Sequence, residues 1–507
     1  MIRRLFLFGL LLFTLSASAR PLQWKLGKSI FRFSGNYRLM YLGVSEIPLL
    51  NPQLQFYNLP WENAALHRAT LGLSLMRIFG KKTSPLSLFK VVLNVDLLDG
   101  PLNSPSSARH VLGMSWDARD SNYGLSFSSW GLNEAYVMVA GMRAAIVMGR
   151  MEPDFGMGIL TSKRKEPFFG YSKFGDRTDR AAFKLFMGDW VGMAGPRQFF
   201  IGGGVDRVAR DLLADTKRDD TAYQAFGVLG LANRYMGGEA AYIYRWQHNS
   251  DNDYIRVNIL DFTIHGHVKW KDGSFKAKGE YVWVRGHSDI GRMPANSGGY
   301  KVDTQGVAAL AEIQQNMFGF RVETGLAQGD ANPYDKTFGA FTFNPEHQVG
   351  LIAFSEMLKD LTASGTYNMR DPTYIAKAPS GFEGLPSNGG VRDAIYLYPG
   401  ISLKPWSFLE LRTAVLFAWA DKPMYDLYAT DLSGGQLKSP LGGDAGNYIG
   451  TEYDLGLFSK IDLAKGGPNL RLFAQFGIFF PGSAFNLKYS SVPKSVKLVT
   501  TGLNFSW

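Results

Sequence analysis

Residues 408–420 read FLELRTAVLFAWA, and this stretch decides the fold. Its apolar side chains fall on alternate positions. They are Leu409, Leu411, Val415, Phe417 and Trp419, set against Glu410, Arg412 and Ala414 between them. A period of two places successive side chains on opposite faces of a strand. The stretch therefore predicts a β-strand with one apolar and one polar face.

The same alternation recurs at 31–41, 87–97 and 469–480. Strands of about 10 to 16 residues fit a tilted membrane crossing of about 9–11 residues with some overhang. Aromatic side chains such as Trp406 and Trp419 lie near the strand ends, where the interfacial girdles of a membrane barrel place them. A soluble β-sandwich also alternates and is the alternative, but its apolar face would be sealed in a core.

The spacing of these segments predicts an all-β, transmembrane antiparallel barrel of about eighteen strands, with sixteen as the alternative count. The predicted strands are 31–42, 64–79, 86–98, 125–140, 143–151, 177–187, 198–208, 221–232, 235–246, 254–270, 274–286, 304–316, 318–328, 391–404, 406–420, 450–463, 468–480 and 494–507. Short turns, such as those at 141–142, 271–273 and Pro405, alternate with long gaps. This asymmetry is typical of outer-membrane barrels, with short periplasmic turns and long extracellular loops.

The N-terminus has the pattern of an export signal. Arg3 and Arg4 precede the apolar run 5–15, and Ala17-Ser18-Ala19 is a small-residue cleavage pattern. We therefore expect residues 1–19 to be a signal peptide cleaved near Ala19, and 20–507 to be the barrel. An uncleaved anchor is the alternative, but the run is shorter than the ~20 residues that span a bilayer.

Composition excludes several other classes of protein. The 507 residues include no cysteine, which removes disulfide scaffolds, thiolate metal sites and cysteine nucleophiles. Aromatic residues make up 14% of the chain, and 54 Lys and Arg stand against 44 Asp and Glu. No G-x-S-x-G, H-E-x-x-H or Walker A sequence occurs, so no catalytic residue, cofactor or nucleic-acid partner is predicted.

Two groups of residues could hold a metal ion, but in both the metal-free interpretation is preferred. His265 and His267 share one strand face without a nearby carboxylate cluster. Four acidic residues in one long gap could bind Ca²⁺ or cations that bridge lipopolysaccharide, although a solvated loop is the preferred explanation. They are Asp421, Asp426, Asp431 and Asp444.

Several segments resemble known outer-membrane proteins. The alternating frame and the terminal Trp507 resemble bacterial porins of the alginate-export type. The segments 95–100, 149–158, 175–180 and 343–352 are similar to an uncharacterised porin-like family. The resemblance implies a channel in the bacterial outer membrane, in contact with its lipids and lipopolysaccharide. Leu503, Phe505 and Trp507 resemble the terminal signal that the barrel-assembly machinery reads.

Charged side chains on the polar strand faces are expected to line the pore, because a charge facing lipid would cost ~2–4 kcal/mol near the midplane. The pore-lining candidates are Arg32, Arg38, Arg68, Arg150, Arg180, Lys184, Arg245, Arg321, Glu323, Arg392, Glu410, Arg412 and Arg471. An excess of inward Arg and Lys would attract anions. The alternative is a lattice of ion pairs that braces the barrel.

The segment 329–390 is too long for a simple connection, and long loops are usually functional. It is expected either to fold inward as a constriction or to stand outside as an extra hairpin. Two main functions remain open at this point. One is a channel for hydrophilic solutes, anionic solutes and polysaccharide included, and the other is a plugged barrel with a structural or surface-interaction role. An outer-membrane enzyme comes third.

Overall fold

The computed structural model describes residues 22–51, 53–58, 61–79, 86–101, 131–172, 175–216, 219–249, 252–290, 298–332, 334–369, 387–464, 467–488 and 492–507. The expected signal peptide lies outside these residues. Among them, no helix is long and apolar enough to cross a membrane.

Within the described residues, eighteen antiparallel strands form a closed barrel. They are β1 (Ser29–Val44), β2 (Glu62–Ile78), β3 (Leu88–Pro101), β4 (Gly131–Ala140), β5 (Ala144–Met151), β6 (Arg177–Phe186), β7 (Phe199–Arg210), β8 (Thr221–Ala232), β9 (Met236–His248), β10 (Tyr254–Trp270), β11 (Gly273–Ser288), β12 (Tyr300–Gln315), β13 (Phe318–Ala327), β14 (Ala394–Trp406), β15 (Leu409–Trp419), β16 (Tyr448–Asp462), β17 (Asn469–Pro481) and β18 (Val496–Ser506). Each strand pairs with the next along the chain. The predicted eighteen-stranded barrel is confirmed.

The barrel closes where β18 pairs with β1. The register runs from Asn36, which pairs with Ser506, to Val44, which pairs with Leu498. A further short strand, Leu22–Leu26, pairs with the start of β1 and continues the seam beyond the end of β18. Sequence reasoning did not predict this strand.

One predicted turn is wrong in detail. Pro405 was expected to form the turn between two strands, but it lies inside β14, at a shift in the register with β15. Proline has no backbone N–H, so it is tolerated where ladder hydrogen bonding is interrupted. The chain turns instead at residues 407–408.

The alternation of side chains separates a lipid face from a lumen face on every strand. On β16, Tyr453, Leu455 and Leu457 point outward and are 49%, 56% and 43% exposed. Glu452 and Asp454, which alternate with these residues along the strand, point inward and are buried. Apolar side chains are exposed here because lipid, rather than water, is the solvent of the outer face.

Three long loops at one end of the barrel matter for function: loop 3 (152–176), loop 7 (328–393) and loop 8 (420–447). Loop 7 includes a helical segment that ends in Lys359–Asn368. Loops 3 and 7 fold into the barrel, where their apolar side chains join one buried cluster with inward side chains of the wall. From these loops, Ile159, Phe169, Phe343, Ile352 and Phe354 are at most 1% exposed. Of the two arrangements expected for residues 329–390, the inward one is adopted by the part of loop 7 that carries Phe343, Ile352 and Phe354.

A charge on the outer face should destabilise the barrel. Leu455 lies at the centre of β16, so Leu455→Arg should lower the free energy of unfolding by ~2–4 kcal/mol. The measurement is urea unfolding in lipid vesicles. Leu455→Met is the control and should change the value by less than ~1.5 kcal/mol. Equal stability of Leu455→Arg and the native chain would show that this face does not contact lipid.

Candidate functional site

A buried carboxylate on the barrel wall holds loop 7 inside the lumen. Glu452 of β16 accepts hydrogen bonds from three consecutive backbone N–H groups, those of Leu351, Ile352 and Ala353. Gly350 precedes them with φ +74°, a left-handed conformation that glycine adopts readily. Hydrogen bonds to an ionised acceptor are stronger than neutral ones. Glu452 therefore serves as the wall anchor of loop 7.

Loop 3 is held in the same way by a different strand. Glu280 of β11 accepts from the N–H groups of Met157, Gly158 and Ile159. Gly156 and Gly158 have positive φ, so the backbone can turn its amides toward one carboxylate. Two inward loops are thus each bound to the wall through three amides and one carboxylate.

Asp176 at the end of loop 3 joins the two loops to each other. Its Oδ2 accepts from Thr161 Oγ1 at 2.8 Å, the Ser162 N–H at 3.0 Å and Asn344 Nδ2 of loop 7 at 2.8 Å. Burial raises the pKa of Asp176 to about 7, the Asp211 carboxylate adds to the rise, and the hydrogen bonds oppose it. The loops therefore meet at a carboxyl group that titrates near neutral pH.

A histidine makes a second contact between loop 7 and the wall. His347 Nε2 lies 2.9 Å from Glu323 Oε1, and its Nδ1 lies 3.3 Å from the Met157 carbonyl oxygen of loop 3. Both ring nitrogens thus face acceptors, which suits the doubly protonated imidazolium. Glu323 has two further partners. Arg321 forms an ion pair with it, and the Tyr396 hydroxyl donates a hydrogen bond of 3.1 Å to Glu323 Oε1.

Space remains beside the two loops. An outer cavity of about 100 Å³ lies between loops 7 and 8. It shares Tyr300, Phe338, Ala340 and Arg392 with a middle cavity of about 180 Å³. The middle cavity shares Leu160, Asp211, Arg245 and Ile259 with an inner cavity of about 390 Å³. The three cavities lie in succession between the loops and the wall from β4 to β12, and together they are called the path below. The inner cavity reaches Lys184 near the short-turn end.

Two inward arginines on this path are fully paired. Arg180 makes two hydrogen bonds with Asp206, at 2.8 and 2.7 Å. Arg245 pairs with Asp211 and also with Gln247. These contacts agree with the alternative named in the sequence analysis, in which ion pairs brace the barrel.

Lys184 differs from the arginines. It faces the inner cavity, and among the described residues no carboxylate oxygen lies within 4.0 Å of its ammonium group; its close contact is the Phe200 ring, 3.6 Å away. Asp261 lines the same cavity, and both of its buried carboxylate oxygens are without a hydrogen-bond partner. Glu239 lines this cavity too, and its carboxylate is close enough for its charge to act on Lys184. The inner cavity therefore offers one cation outside ion-pair distance of any described carboxylate, together with the acidic side chains of Glu239 and Asp261.

A separate cavity of about 390 Å³, the basal pocket, opens at the short-turn end below loop 3. Its charged lining residues are Arg38, Lys404, Arg412, Lys460 and Arg471, with Glu166 and Glu410. Residues 166–172 of loop 3 form its roof. Three of the arginines bind this roof: Arg38 donates to Ser172 O, Arg412 donates to Phe168 O, and Arg471 pairs with Glu166.

Most of the predicted pore-lining residues lie on the lumen faces of their strands. These are Arg32, Arg38, Arg68, Arg180, Lys184, Arg245, Arg321, Glu323, Glu410, Arg412 and Arg471. Arg392 lies at the end of loop 7, half-buried between the outer and middle cavities. The residues do not form one site. Some line the path or the basal pocket, and Arg68 joins Arg164 and Arg177 around Asp96. Arg321 and Glu323 contact each other beside His347, and Arg32 lines none of the four cavities.

Arg150 is an exception, and its predicted inward direction is wrong. Gly149 has φ +125°, and the register places Arg150 opposite Asp179, on the face opposite to the inward Arg180. Arg150 and Asp179 form an ion pair there, at 2.7 and 2.8 Å. Alternation itself places Arg150 on the outer face, because Ile146 and Met148 at the preceding alternate positions point outward and are 59% and 68% exposed. The prediction failed because it assumed that every charged side chain faces the lumen, whereas this ion pair lies near the end of the strand.

Among the described residues, no three His, Asp or Glu side chains are arranged to hold a metal ion. The four acidic residues of the long gap have separate partners. Asp421 accepts from Gly329 N, Asp426 from Ala429 N, Asp431 from the Tyr334 hydroxyl, and Asp444 from Lys438. His265 and His267 lie on the lumen face near the short-turn end of β10.

The anchors Glu280 and Asp176 were missed by sequence reasoning. A signal for the loop 3 anchor is present in the sequence Phe155-Gly156-Met157-Gly158. Both glycines have positive φ, and two glycines so placed allow a turn whose backbone amides can bind an anion. The strand pattern alone could not show which carboxylate would occupy it.

Solved structures share this architecture. OccK9 (OpdG) of Pseudomonas aeruginosa aligns with a TM-score of 0.52 at 8% identity, over 94% of this chain and 98% of that one. OccAB4 of Acinetobacter baumannii and a BenF-like porin from Pseudomonas fluorescens Pf-5 both align with a TM-score of 0.50, at 12% and 7% identity, over 94% of this chain and 98% of theirs. No family model and no curated protein matches the sequence. These likenesses show a porin-type barrel and give no support to the alginate-export type.

Removing the anchor of loop 7 should release the loop. Glu452→Ala leaves three buried N–H groups unpaired, at about 1–3 kcal/mol each. The chain has no cysteine, so a Ser355→Cys substitution introduces a single thiol into loop 7. Because Ser355 is only 3% exposed, the rate at which this thiol reacts measures how often the loop leaves the lumen. Maleimide should label this variant at least tenfold faster when Glu452→Ala is added. Glu312→Ala, which removes only an exposed pair with Lys276, is the control. Equal labelling in both backgrounds would contradict the anchor.

Loop 3 should loosen as the pH rises. The neutral Asp176 carboxyl is favoured in the folded loop, so its contribution is fully present below about pH 4 and is lost as the pH rises through about 7. Asp176→Asn mimics the neutral form and should remove this dependence. The measurement is maleimide labelling of a Ser162→Cys variant from pH 5 to 8, with and without Asp176→Asn. The ratio of the two rates cancels the ionisation of the thiol, and a constant ratio would refute the prediction.

Proposed function

We propose that this protein is a bacterial outer-membrane channel for small hydrophilic solutes, with a preference for anions. The observation that carries the proposal is the series of three neighbouring cavities between the wall and loops 3 and 7, which share lining residues from one to the next. A barrel that served only as a surface scaffold would have no need for such a path. The similar porin-type structures support the membrane location.

The size of the path favours small solutes over polysaccharide. The outer and inner cavities measure about 100 and 390 Å³, and typical small-molecule sites measure about 300–1,000 Å³. A polymer strand would require loops 3 and 7 to leave the lumen, and each is bound by three amides to a buried carboxylate. The path therefore suits the passage of single small solutes better than that of a polysaccharide chain.

The anion preference rests mainly on Lys184. The Arg180 and Arg245 side chains are neutralised by their carboxylate partners, whereas the Lys184 ammonium has none within ion-pair distance among the described residues. An unpaired cation in a narrow lumen attracts anions, because the low-dielectric wall focuses its field. Asp261 and Glu239, which line the same cavity, oppose this attraction, and the charge of Glu239 acts directly on Lys184. The preference for anions should therefore be modest.

The plugged barrel is the second function to test. The observation that favours it is the large buried cluster that fixes loops 3 and 7 against the wall. In this case the cavities would hold water without conducting.

Export and assembly belong to the same proposal. Residues 1–19 would be removed as a signal peptide, and the outer surface would contact membrane lipids and lipopolysaccharide. Leu503 and Phe505 point outward on β18 beside the seam with β1, where the barrel-assembly machinery could read them together with Trp507.

Single-channel recording in planar bilayers tests the function. The refolded protein should give steady openings, and Lys184→Gln should lower the ratio of chloride to potassium permeability obtained from reversal potentials. Lys497→Gln removes the same charge from the outer face of β18 and should leave the ratio unchanged. Silence of the native protein would support the plugged barrel, and an unchanged ratio in Lys184→Gln would end the anion assignment.

A further inference from the structure

The basal pocket is separate from the path. It shares no described lining residue with the outer, middle or inner cavity. It opens where β14, β16 and β17 reach the short turns, which is the periplasmic side in the proposed orientation. Five basic side chains against two acidic ones give its lining a net charge of +3. Conduction through the path does not require this pocket.

A carboxylate of the chain itself already lies in this pocket. Glu166 of loop 3 contacts Arg471 at 2.7 Å, but the two side chains are 63% and 44% exposed. Ion pairs this exposed contribute little to stability, since water solvates both partners. Glu166 can therefore be displaced by a competing anion.

The arginines of the pocket also hold the roof. Arg412 donates to Phe168 O at 2.8 Å, and Arg38 donates to Ser172 O at 2.8 Å. Both acceptors are neutral carbonyl oxygens of loop 3, and Arg412 also pairs with the Glu410 carboxylate at 2.9 Å. A charged oxyanion is a stronger acceptor than a carbonyl, and the planar guanidinium binds it in a bidentate manner. An anion in the pocket would compete with loop 3 for the same donors.

We propose that the basal pocket binds a small oxyanion carrying two or more negative charges, such as a tricarboxylate or phosphate, that enters from the short-turn side. Binding displaces Glu166 from Arg471, weakens the hydrogen bonds to the roof and loosens loop 3. Because the other side of loop 3 lines the inner cavity through Asp154, Leu160 and Asp176, the bound anion changes the width of the path. This last step rests on the proposed channel function, whereas binding does not.

Titration calorimetry of the full chain in detergent tests binding, with citrate and inorganic phosphate as probes. Citrate should bind more weakly as salt is raised. The double substitution Arg471→Gln with Lys460→Gln should weaken binding at least tenfold, and Glu166→Gln should tighten it at least threefold by removing the internal competitor. Lys497→Gln, on the outer face, is the matched control. Native-like affinity in the double variant, or no tightening in Glu166→Gln, would overturn the site.

The effect on loop 3 is measured without any current. Citrate should raise the rate of maleimide labelling of a Ser162→Cys variant at least threefold, and the Arg471→Gln and Lys460→Gln background should abolish the rise. An unchanged labelling rate at saturating citrate would overturn the loosening of loop 3. A channel that is silent in bilayers but passes both tests would refute the proposed function and leave the anion site standing.

Discussion

Backbone groups inside a barrel must find hydrogen-bond partners, and this constraint governs the interior of the protein. Two loops enter the lumen, and each brings several N–H groups away from bulk water. An unpaired buried amide is costly, so the wall must supply acceptors. Glu280 and Glu452 supply them, each for three consecutive amides. The positions of these two side chains on β11 and β16 therefore decide where the loops lie.

The same constraint explains why the strand faces could be predicted and the interior could not. The alternation at 408–420 and its repeats reflect lipid on one side of each strand, so the barrel, its closure and most inward directions could be predicted from sequence. Loop conformation depends on which carboxylate faces which amides, and that pairing joins residues 99 to 123 positions apart. The alternation of apolar and polar residues does not show which carboxylate faces which amides. Arg150 failed for a related reason, because near the strand ends a charged pair can face outward.

The charged side chains of the lumen have two roles, and the amino-acid composition does not show which side chain has which role. Arg180 and Arg245 are neutralised by partners on neighbouring strands or loops, so they brace the wall. Lys184 has no described carboxylate within ion-pair distance, and the basal pocket has five basic side chains in its lining against two acidic ones. A net charge calculated from the sequence counts both classes equally. Only the pairing shows that the electrostatic attraction is concentrated toward the short-turn end.

Loop 3 connects these two classes of charge. One part of it, through Asp176 and Leu160, lines the inner cavity and is tied to loop 7, while residues 166–172 form the roof of the basal pocket. A single segment therefore separates two spaces that share no described lining residue. Glu280 fixes its middle strongly, but Arg471 holds Glu166 by an exposed pair. Unequal attachment of this kind allows the roof to move while the anchor stays, and a movement of the roof would be transmitted to the path through the backbone of loop 3.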